Sequence, residues 1–261
     1  MTVYVCEDSF DGILCGIYDA WMSRKGHENV RLEIEGTGNV ELFCQYEPVP
    51  VIREKIEKVS AAVRKKISEA AYQKIYTASL SLEDGRADVI YRFLIDGFRY
   101  GAAVLEMLHL PSVFELFRLC RFVMNESHLL KEFTRFSRTE EGLLISRIGP
   151  KNDVLPMLAV HFADRLPSEH WLIYDEKRKR AVVHPADEDW FILRADESGW
   201  QDRLSWKTDE EEYQSLWTMF CDTIAIPERK NYVCQRNHLP LRYRPYMTEF
   251  QHRGIQQPGS R

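Results

Sequence analysis

The feature that most constrains the fold is the way the hydrophobic period changes between residues 111 and 226. Apolar residues recur at helical spacing in some stretches and alternate as in strands in others, in the order α-β-β-α-β-β-β-α. This order predicts an antiparallel sheet packed with helices, which is an α+β class of fold. The predicted strands are Glu132–Arg138, Leu143–Ile148, Trp171–Asp175, Ala181–His184 and Trp190–Leu193.

The helices of this part have recognisable start signals. Ser112 and Glu115 are spaced as a capping box, which predicts a helix that continues to about residue 130. The other two helices are predicted over 154–166 and from Thr208 to about Ile224, and the second of these also begins with the capping spacing.

The chain is predicted to have three parts. Residues 1–110 form a small αβ unit followed by helices, and residues 111–226 form the α+β sheet domain. The tail at 227–261 is basic and poor in aliphatic residues, so it cannot build a core of its own. We expect it to pack on the surface or to be partly disordered. The strands predicted in the first part are Val3–Cys6, Val30–Glu35 and Val40–Cys44.

Composition limits the classes of function. An apolar fraction of 44% suffices for a core, while the net charge of −5 argues against a protein that coats DNA indiscriminately. Any nucleic-acid site must therefore be a local basic patch. The six cysteines contain no C-x-x-C pair, which predicts reduced thiols, a cytoplasmic protein, and neither metal nor cofactor. No leader peptide or membrane-length apolar run is apparent, so no membrane association is expected.

Three separated blocks of the chain combine arginine with aromatic residues: Arg118–Phe136, His161–Arg165 and Asn237–Tyr246. Guanidinium groups bind phosphate and aromatic rings stack on bases, so this combination predicts contacts with DNA or another nucleic acid. The alternative is that an arginine of the first block pairs internally with Glu126 or Asp164. The predicted nucleic-acid contacts are Arg118, Arg121, Arg135, Arg138, Arg165, Arg236, Arg242, Tyr243 and Arg244.

A second group of residues is a candidate catalytic constellation, consisting of Glu126, His128, His161 and Asp164. Two histidines with two carboxylates can move protons or bind a metal, and His161 and Asp164 are one helical turn apart. Their spacing matches no established metal motif, and a hydrogen-bonded structural network explains the same residues. The chain contains no nucleotide-binding loop, zinc-protease motif, serine-hydrolase motif or zinc-deaminase motif.

Six stretches of the chain together carry a family resemblance: Glu7–Gly12, Asp96–Gly101, Arg118–His128, His161–Arg165, Trp171–Asp175 and Leu239–Tyr243. In this order they resemble a bacterial family of unknown function that is catalogued as a probable DNA metabolism protein. Such proteins are typically encoded beside a radical-SAM protein of DNA modification or repair, and relatives are fused to a uracil-DNA-glycosylase-like domain. The tail has Leu241 and Arg244 where the family pattern has lysine and tryptophan.

These observations support three hypotheses. The first is an accessory nucleic-acid-binding protein in DNA repair or modification, which positions a substrate for a separate radical-SAM enzyme. The second is an enzyme, a hydrolase or glycosylase-like catalyst, that uses the four candidate catalytic residues. The third is a protein-interaction subunit whose tail docks on the partner enzyme. The resemblance implies a role in DNA metabolism and no particular reaction.

Overall fold

The structure, a computed structural model, describes four stretches of the chain: residues 1–38, 40–194, 211–223 and 231–251. It divides into two compact units. Unit 1 comprises Met1–Asn125 with Lys151–Asp153, and unit 2 comprises Glu126–Pro150 with Val154–Arg261. Over the stretches described, no helix is both long enough and apolar enough to cross a lipid bilayer.

Unit 1 begins with a small parallel sheet. The central strand, β1 (Thr2–Cys6), pairs in parallel with both β2 (Val30–Ile34) and β3 (Gln45–Pro48). The helix α1 (Phe10–Met22) connects β1 to β2, as parallel pairing requires a crossover. The strand predicted over 40–44 is wrong, because the residues that pair with β1 lie directly after it and its own apolar side chains are exposed.

The turn between β1 and α1 depends on two small residues. Ser9 caps α1, since its hydroxyl accepts a hydrogen bond from the amide of Gly12 at 2.9 Å. A Cβ atom at Gly12 would lie 2.5 Å from the carbonyl oxygen of Glu7. Glycine therefore allows the first turn of α1 to pack closely against the end of β1.

Helices complete unit 1 and supply most of its core. The helices α2 (Arg53–Lys66), α3 (Glu69–Ser79) and α4 (Arg86–Tyr100) are followed by the first part of α5, which spans Pro111–Phe133. The helical character expected for the residues after the first strands is thus confirmed. Burial of apolar side chains is the main stabilising contribution here, and the fully buried residues of α4 include Ile90, Tyr91, Phe93 and Leu94.

A buried arginine joins the end of β1 to the start of α4. Arg86 is only 5% exposed. Its Nε and Nη1 atoms each donate a hydrogen bond of 3.1 Å, to the carbonyl oxygens of Ser79 and Glu83, and its Nη2 atom pairs with the carboxylate of Asp8. These partners are needed because an unpaired charge in the interior is costly. No sequence signal marked Arg86 as a buried residue.

The start of α5 differs from the predicted capping box. Pro111 is the first residue of the helix, a position that proline favours because it needs no amide donor there. Ser112 instead donates its hydroxyl to Asp96, and Glu115 binds Arg118 at 2.7 Å. The capping prediction is therefore wrong, since Ser112 lies inside the first turn rather than before it.

The described residues of unit 2 include five strands: β4 (Ser137–Arg138), β5 (Leu144–Ile148), β6 (Trp171–Asp175), β7 (Arg180–His184) and β8 (Phe191–Arg194). They form one sheet in sequence order. The pairs β4–β5, β6–β7 and β7–β8 are antiparallel, whereas β5 and β6 are parallel. The side chains of β6 are all buried, so this central strand lies in the core of unit 2.

The α+β class is confirmed, but the sheet of unit 2 is mixed rather than antiparallel. The predicted helix between β5 and β6 is present as α6 (Leu155–Arg165). Because this helix returns the chain to the end of the sheet where β5 began, β6 runs parallel to β5. The first strand of the predicted hairpin is also shorter than expected, because α5 continues through Phe133.

The described C-terminal elements are helical. They are α7 (Glu211–Thr223), α8 (Tyr232–His238), a 3-10 turn at Leu241–Tyr246 and α9 (Thr248–Gln251). The last predicted helix is confirmed by α7, and the expected capping residue Thr208 lies outside the described residues. We call Leu241–Gln251 the C-terminal segment. Its side chains Tyr243 and Met247 are buried, so this part of the predicted tail contributes to the core of unit 2.

Candidate nucleic-acid interface

The part of α5 that belongs to unit 1 has two opposite faces. One face is fully buried and carries Val113, Leu116, Leu119 and Val123. At about 3.6 residues per turn, five residues on the other side lie within less than half a turn of one another. We call these residues the aromatic–arginine face: Phe114, Phe117, Arg118, Arg121 and Phe122.

Two phenyl rings of this face are open to solvent. Phe114 is 57% exposed and Phe122 is 48% exposed, while Phe117 between them is half-buried. The Nζ atom of Lys74, on α3, lies 5.0 Å from the ring centroid of Phe117. Exposed rings beside cations suit a ligand that is both flat and negatively charged.

Arg118 is held in place within the face by neighbours in unit 1. Its Nε donates to Glu115 at 2.7 Å, and its Nη1 lies 3.5 Å from a carboxylate oxygen of Glu83. Its guanidinium carbon is 5.4 Å from the ring centroid of Phe122. The hydrogen bond with Glu115 raises the pKa of Arg118, which keeps it charged. The acids that bind Arg118 are thus Glu115 and Glu83, and not Glu126 or Asp164 as considered from the sequence.

Arg121 has its donor groups available. It is exposed, and within the described part of the chain no hydrogen bond or ion pair is recorded for it. The same holds, among described residues, for Arg165 at the end of α6 and Arg236 on α8, both in unit 2. An unpaired guanidinium can place two parallel hydrogen bonds on a phosphate, so the donors of these three arginines are available for such a contact.

The other predicted contact arginines of unit 2 are held by internal acceptors. A donor that is already bound must leave its partner before it can bind a phosphate, so these side chains are less available than Arg121. The recorded pairs are Arg135–Glu249 at 2.9 Å, Arg138–Glu169 at 3.1 Å, Arg242–Glu126 at 3.2 Å and Arg244–Gln235 at 3.2 Å.

Tyr243 and Glu126 form the centre of a buried contact in unit 2. Tyr243 is 1% exposed and Glu126 is 4% exposed. The hydroxyl of Tyr243 donates to Glu126 at 2.9 Å, and Arg242 donates to that hydroxyl oxygen at 2.6 Å. Burial, followed by the charge of Glu126, raises the pKa of Tyr243 to about 12, so the phenol is neutral. Its ring lies in the core, where it has no surface to offer to a base.

A second contact of the C-terminal segment depends on a glycine. The hydroxyl of Tyr246 donates to Glu176 at 2.9 Å, and a Cβ atom at Gly149 would lie 2.3 Å from that hydroxyl oxygen. Gly149 and Glu176 were not among the predicted site residues, because Glu176 is 70 residues away from Tyr246 along the chain. The one available signal was a glycine directly after a strand, which often marks a close approach of another group.

The family of the chain follows from its central and C-terminal residues. Residues 84–249 match the model of a family described as a domain of unknown function, DUF4130. The chain belongs to this family. The DUF4130 match therefore contains the aromatic–arginine face and both contacts of the C-terminal segment. The chain matches no curated protein and no solved structure.

The DUF4130 region also contains the four candidate catalytic residues, which have different surroundings. Glu126 and His128 are two residues apart on α5, so they point to different sides of the helix. Glu126 is buried against Tyr243, whereas His128 is exposed and its Nε2 lies 3.3 Å from Glu132. These two side chains therefore serve separate contacts.

His161, on α6 of the DUF4130 region, lies in positively charged surroundings. Burial lowers its pKa, and the charges of Lys131 and Arg165 lower it further, against the opposing charge of Asp164. The structure thus brings His161 close to Asp164, as the sequence predicted. Over the described stretches, no group of three or more histidine, cysteine, aspartate and glutamate residues is placed to hold a metal ion.

Proposed function

We propose that this DUF4130 protein is an accessory nucleic-acid-binding protein of DNA repair or modification. The observation that carries the proposal is the aromatic–arginine face of α5, where two exposed phenyl rings accompany two arginines. The resemblance of the sequence to a DNA metabolism family extends the proposal. On that ground the protein is a cytoplasmic one that works beside a separate radical-SAM enzyme.

The chemistry of the face supports binding to phosphates. Arg121 has its donors free within the described residues and can contact a phosphate directly. Arg118 is bonded to Glu115 through Nε and faces Glu83 through Nη1, so it offers a neighbouring phosphate its Nη2 atom. The patch is local, so a net charge of −5 on the whole chain does not prevent its use. Contacts of this kind release counterions from the nucleic acid, and binding weakens as salt increases.

The proposal does not include catalysis. Glu126, one of the four candidate catalytic residues, is buried and already bonded to Tyr243 and Arg242. A carboxylate engaged in this way stabilises the docked C-terminal segment. It would have to lose both partners before it could act on a substrate.

The double variant Arg118→Ala with Arg121→Ala tests the proposal. We expect the unaltered full chain to bind fluorescently labelled DNA, measured by anisotropy, with an affinity that falls between about 50 and about 200 mM salt. The double variant should bind at least about tenfold more weakly. Its slope of log affinity against log salt should be smaller by about 2, because two phosphate contacts are lost.

A control variant with the same change of charge separates this site from the general surface. Arg53→Ala with Arg99→Ala removes two exposed arginines of α2 and α4 outside the aromatic–arginine face, and it should bind DNA as the unaltered chain does. The proposal is wrong if the unaltered chain shows no DNA binding at low salt. It is also wrong if the control variant weakens binding as much as the double variant.

The association with a radical-SAM enzyme needs its own experiment. We expect the tagged full chain, crosslinked in its own cells, to co-purify with a radical-SAM protein that mass spectrometry identifies. If the purified complexes repeatedly lack such a protein while DNA binding is intact, the partner part of the proposal is wrong and the binding part stands.

A further inference from the structure

The two exposed phenyl rings of the aromatic–arginine face lie beside two arginines on the same side of the helix. Single exposed apolar side chains are common and need no explanation. Phe114 and Phe122, however, lie on one helix face together with Arg118 and Arg121, opposite a fully buried face. A ligand that covers the two rings and pairs with the two guanidinium groups would offer apolar faces and negative charge together. Bases and phosphates of a nucleic acid have this combination.

The spacing of the two rings sets a minimum length for a nucleic-acid strand that contacts both of them. Phe114 and Phe122 are eight residues apart, which corresponds to about 12 Å along the helix axis. A stacked strand rises about 3.4 Å per nucleotide, so the rings are more than three base steps apart. A strand that uses both rings must therefore span about four nucleotides or more.

The arginines lie between the two rings in the sequence. Arg118 has its guanidinium carbon 5.4 Å from the Phe122 centroid, and its bond to Glu115 engages Nε, so its contact with a phosphate would use Nη2. Arg121 is exposed and unpaired among the described residues. Phosphates that connect stacked bases would thus meet cations between the two stacking positions.

The faces of the bases are accessible in a single strand and covered by neighbouring bases in a duplex. In a duplex each base is stacked between neighbours, and exposing it costs a few kcal/mol. In a single strand the bases can turn outward onto aromatic side chains.

From these observations we infer that the aromatic–arginine face binds single-stranded nucleic acid, with bases stacked on Phe114 and Phe122 and phosphates held by Arg118 and Arg121. This inference rests on the proposed function and names its substrate class. The test is an anisotropy titration of the full chain with labelled oligothymidylates of about 2, 4, 8 and 16 nucleotides, and with a duplex of about 16 base pairs.

We expect affinity to increase sharply once the strand reaches about four nucleotides, and single strands to bind about tenfold or more tightly than the duplex. Phe114→Leu and Phe122→Leu keep apolar side chains and should each lower single-strand affinity about tenfold, with duplex binding unchanged. The matched control is Phe43→Leu, because Phe43 is 96% exposed in the loop before β3 and lies outside the face. It should leave binding unaltered.

The outcomes distinguish this inference from the function on which it rests. If the duplex binds as tightly as single strands and both phenylalanine variants bind normally, while the arginine variant is weakened, the inference is overturned and the proposed function stands. If neither form of DNA binds, the proposed function fails and the inference with it. If Phe43→Leu weakens single-strand binding as much as the other two variants, the assignment to this face is wrong.

Discussion

Replacing Tyr243 with alanine is expected to lower the free energy of unfolding of unit 2 by about 3–5 kcal/mol, the usual cost of removing a large buried aromatic side chain. Tyr243 is almost fully buried, and its hydroxyl is a hydrogen-bond donor to the buried carboxylate of Glu126. Loss of the ring therefore creates a cavity and removes a partner from a buried charge. Hydrogen exchange of the amides of β5 and β6 in the full chain measures the change.

The conservative variant Tyr243→Phe separates the two contributions. It keeps the ring and removes only the hydroxyl, so we expect a loss of about 1–3 kcal/mol. An exchange rate for Tyr243→Ala that equals that of the unaltered protein would mean that the C-terminal segment is not docked on unit 2. Nearly equal losses in both variants would mean that the hydrogen bond, and not the ring, stabilises the contact.

Arg86→Met should destabilise unit 1 by about 1–3 kcal/mol. Methionine has similar length and is apolar, so it fills the buried space without donating a hydrogen bond. The buried carbonyl oxygen of Ser79 loses its donor, whereas that of Glu83 still accepts from the backbone amide of residue 86. One unsatisfied buried acceptor costs about 1–3 kcal/mol, and we expect a loss of that size, visible as faster hydrogen exchange at the amides of α3 and α4.

An exposed arginine provides the control for this change. Arg53 on α2 pairs with Glu57 at the surface, so Arg53→Met should change stability little. Asp8→Asn tests the third partner of Arg86 and should have a smaller effect than Arg86→Met, since the carboxylate of Asp8 is largely exposed. Equal exchange rates for Arg86→Met and Arg53→Met would show that the buried network does not stabilise unit 1.

Hydrophobic periodicity predicted where the helices and strands lie, but it did not predict how the strands pair. The helix at 154–166 and the strand at Trp171–Asp175 are present because their apolar patterns require burial on one side or on both. Whether β5 and β6 run parallel cannot be read from such a pattern, because alternation is the same in either direction. The crossover through α6 decides it.

The part of the candidate site that depends on local spacing along one helix was predictable, whereas the contacts between distant residues were not. Phe114, Phe117, Arg118, Arg121 and Phe122 lie on one side of α5, because their spacing places them within less than half a helical turn of one another. The acids that pair with Arg135 and Arg242 could not be identified from the sequence, because each lies far away along the chain. Arg135 and Glu249 are 114 residues apart, and Arg242 and Glu126 are 116 residues apart. A tail rich in arginine and tyrosine was expected on the surface, and only the fold shows that Tyr243 is buried.

The contact between Tyr243 and Glu126 has a consequence for synthesis of the chain. The two residues are separated by 117 positions, so Glu126 leaves the ribosome long before its partner exists. The residues of unit 1 are all translated once Asp153 has emerged, and that unit can fold while the ribosome is still working. Glu126 gains its tyrosine partner only after the 3-10 turn has been made, so the native interior of unit 2 can be completed only late in translation.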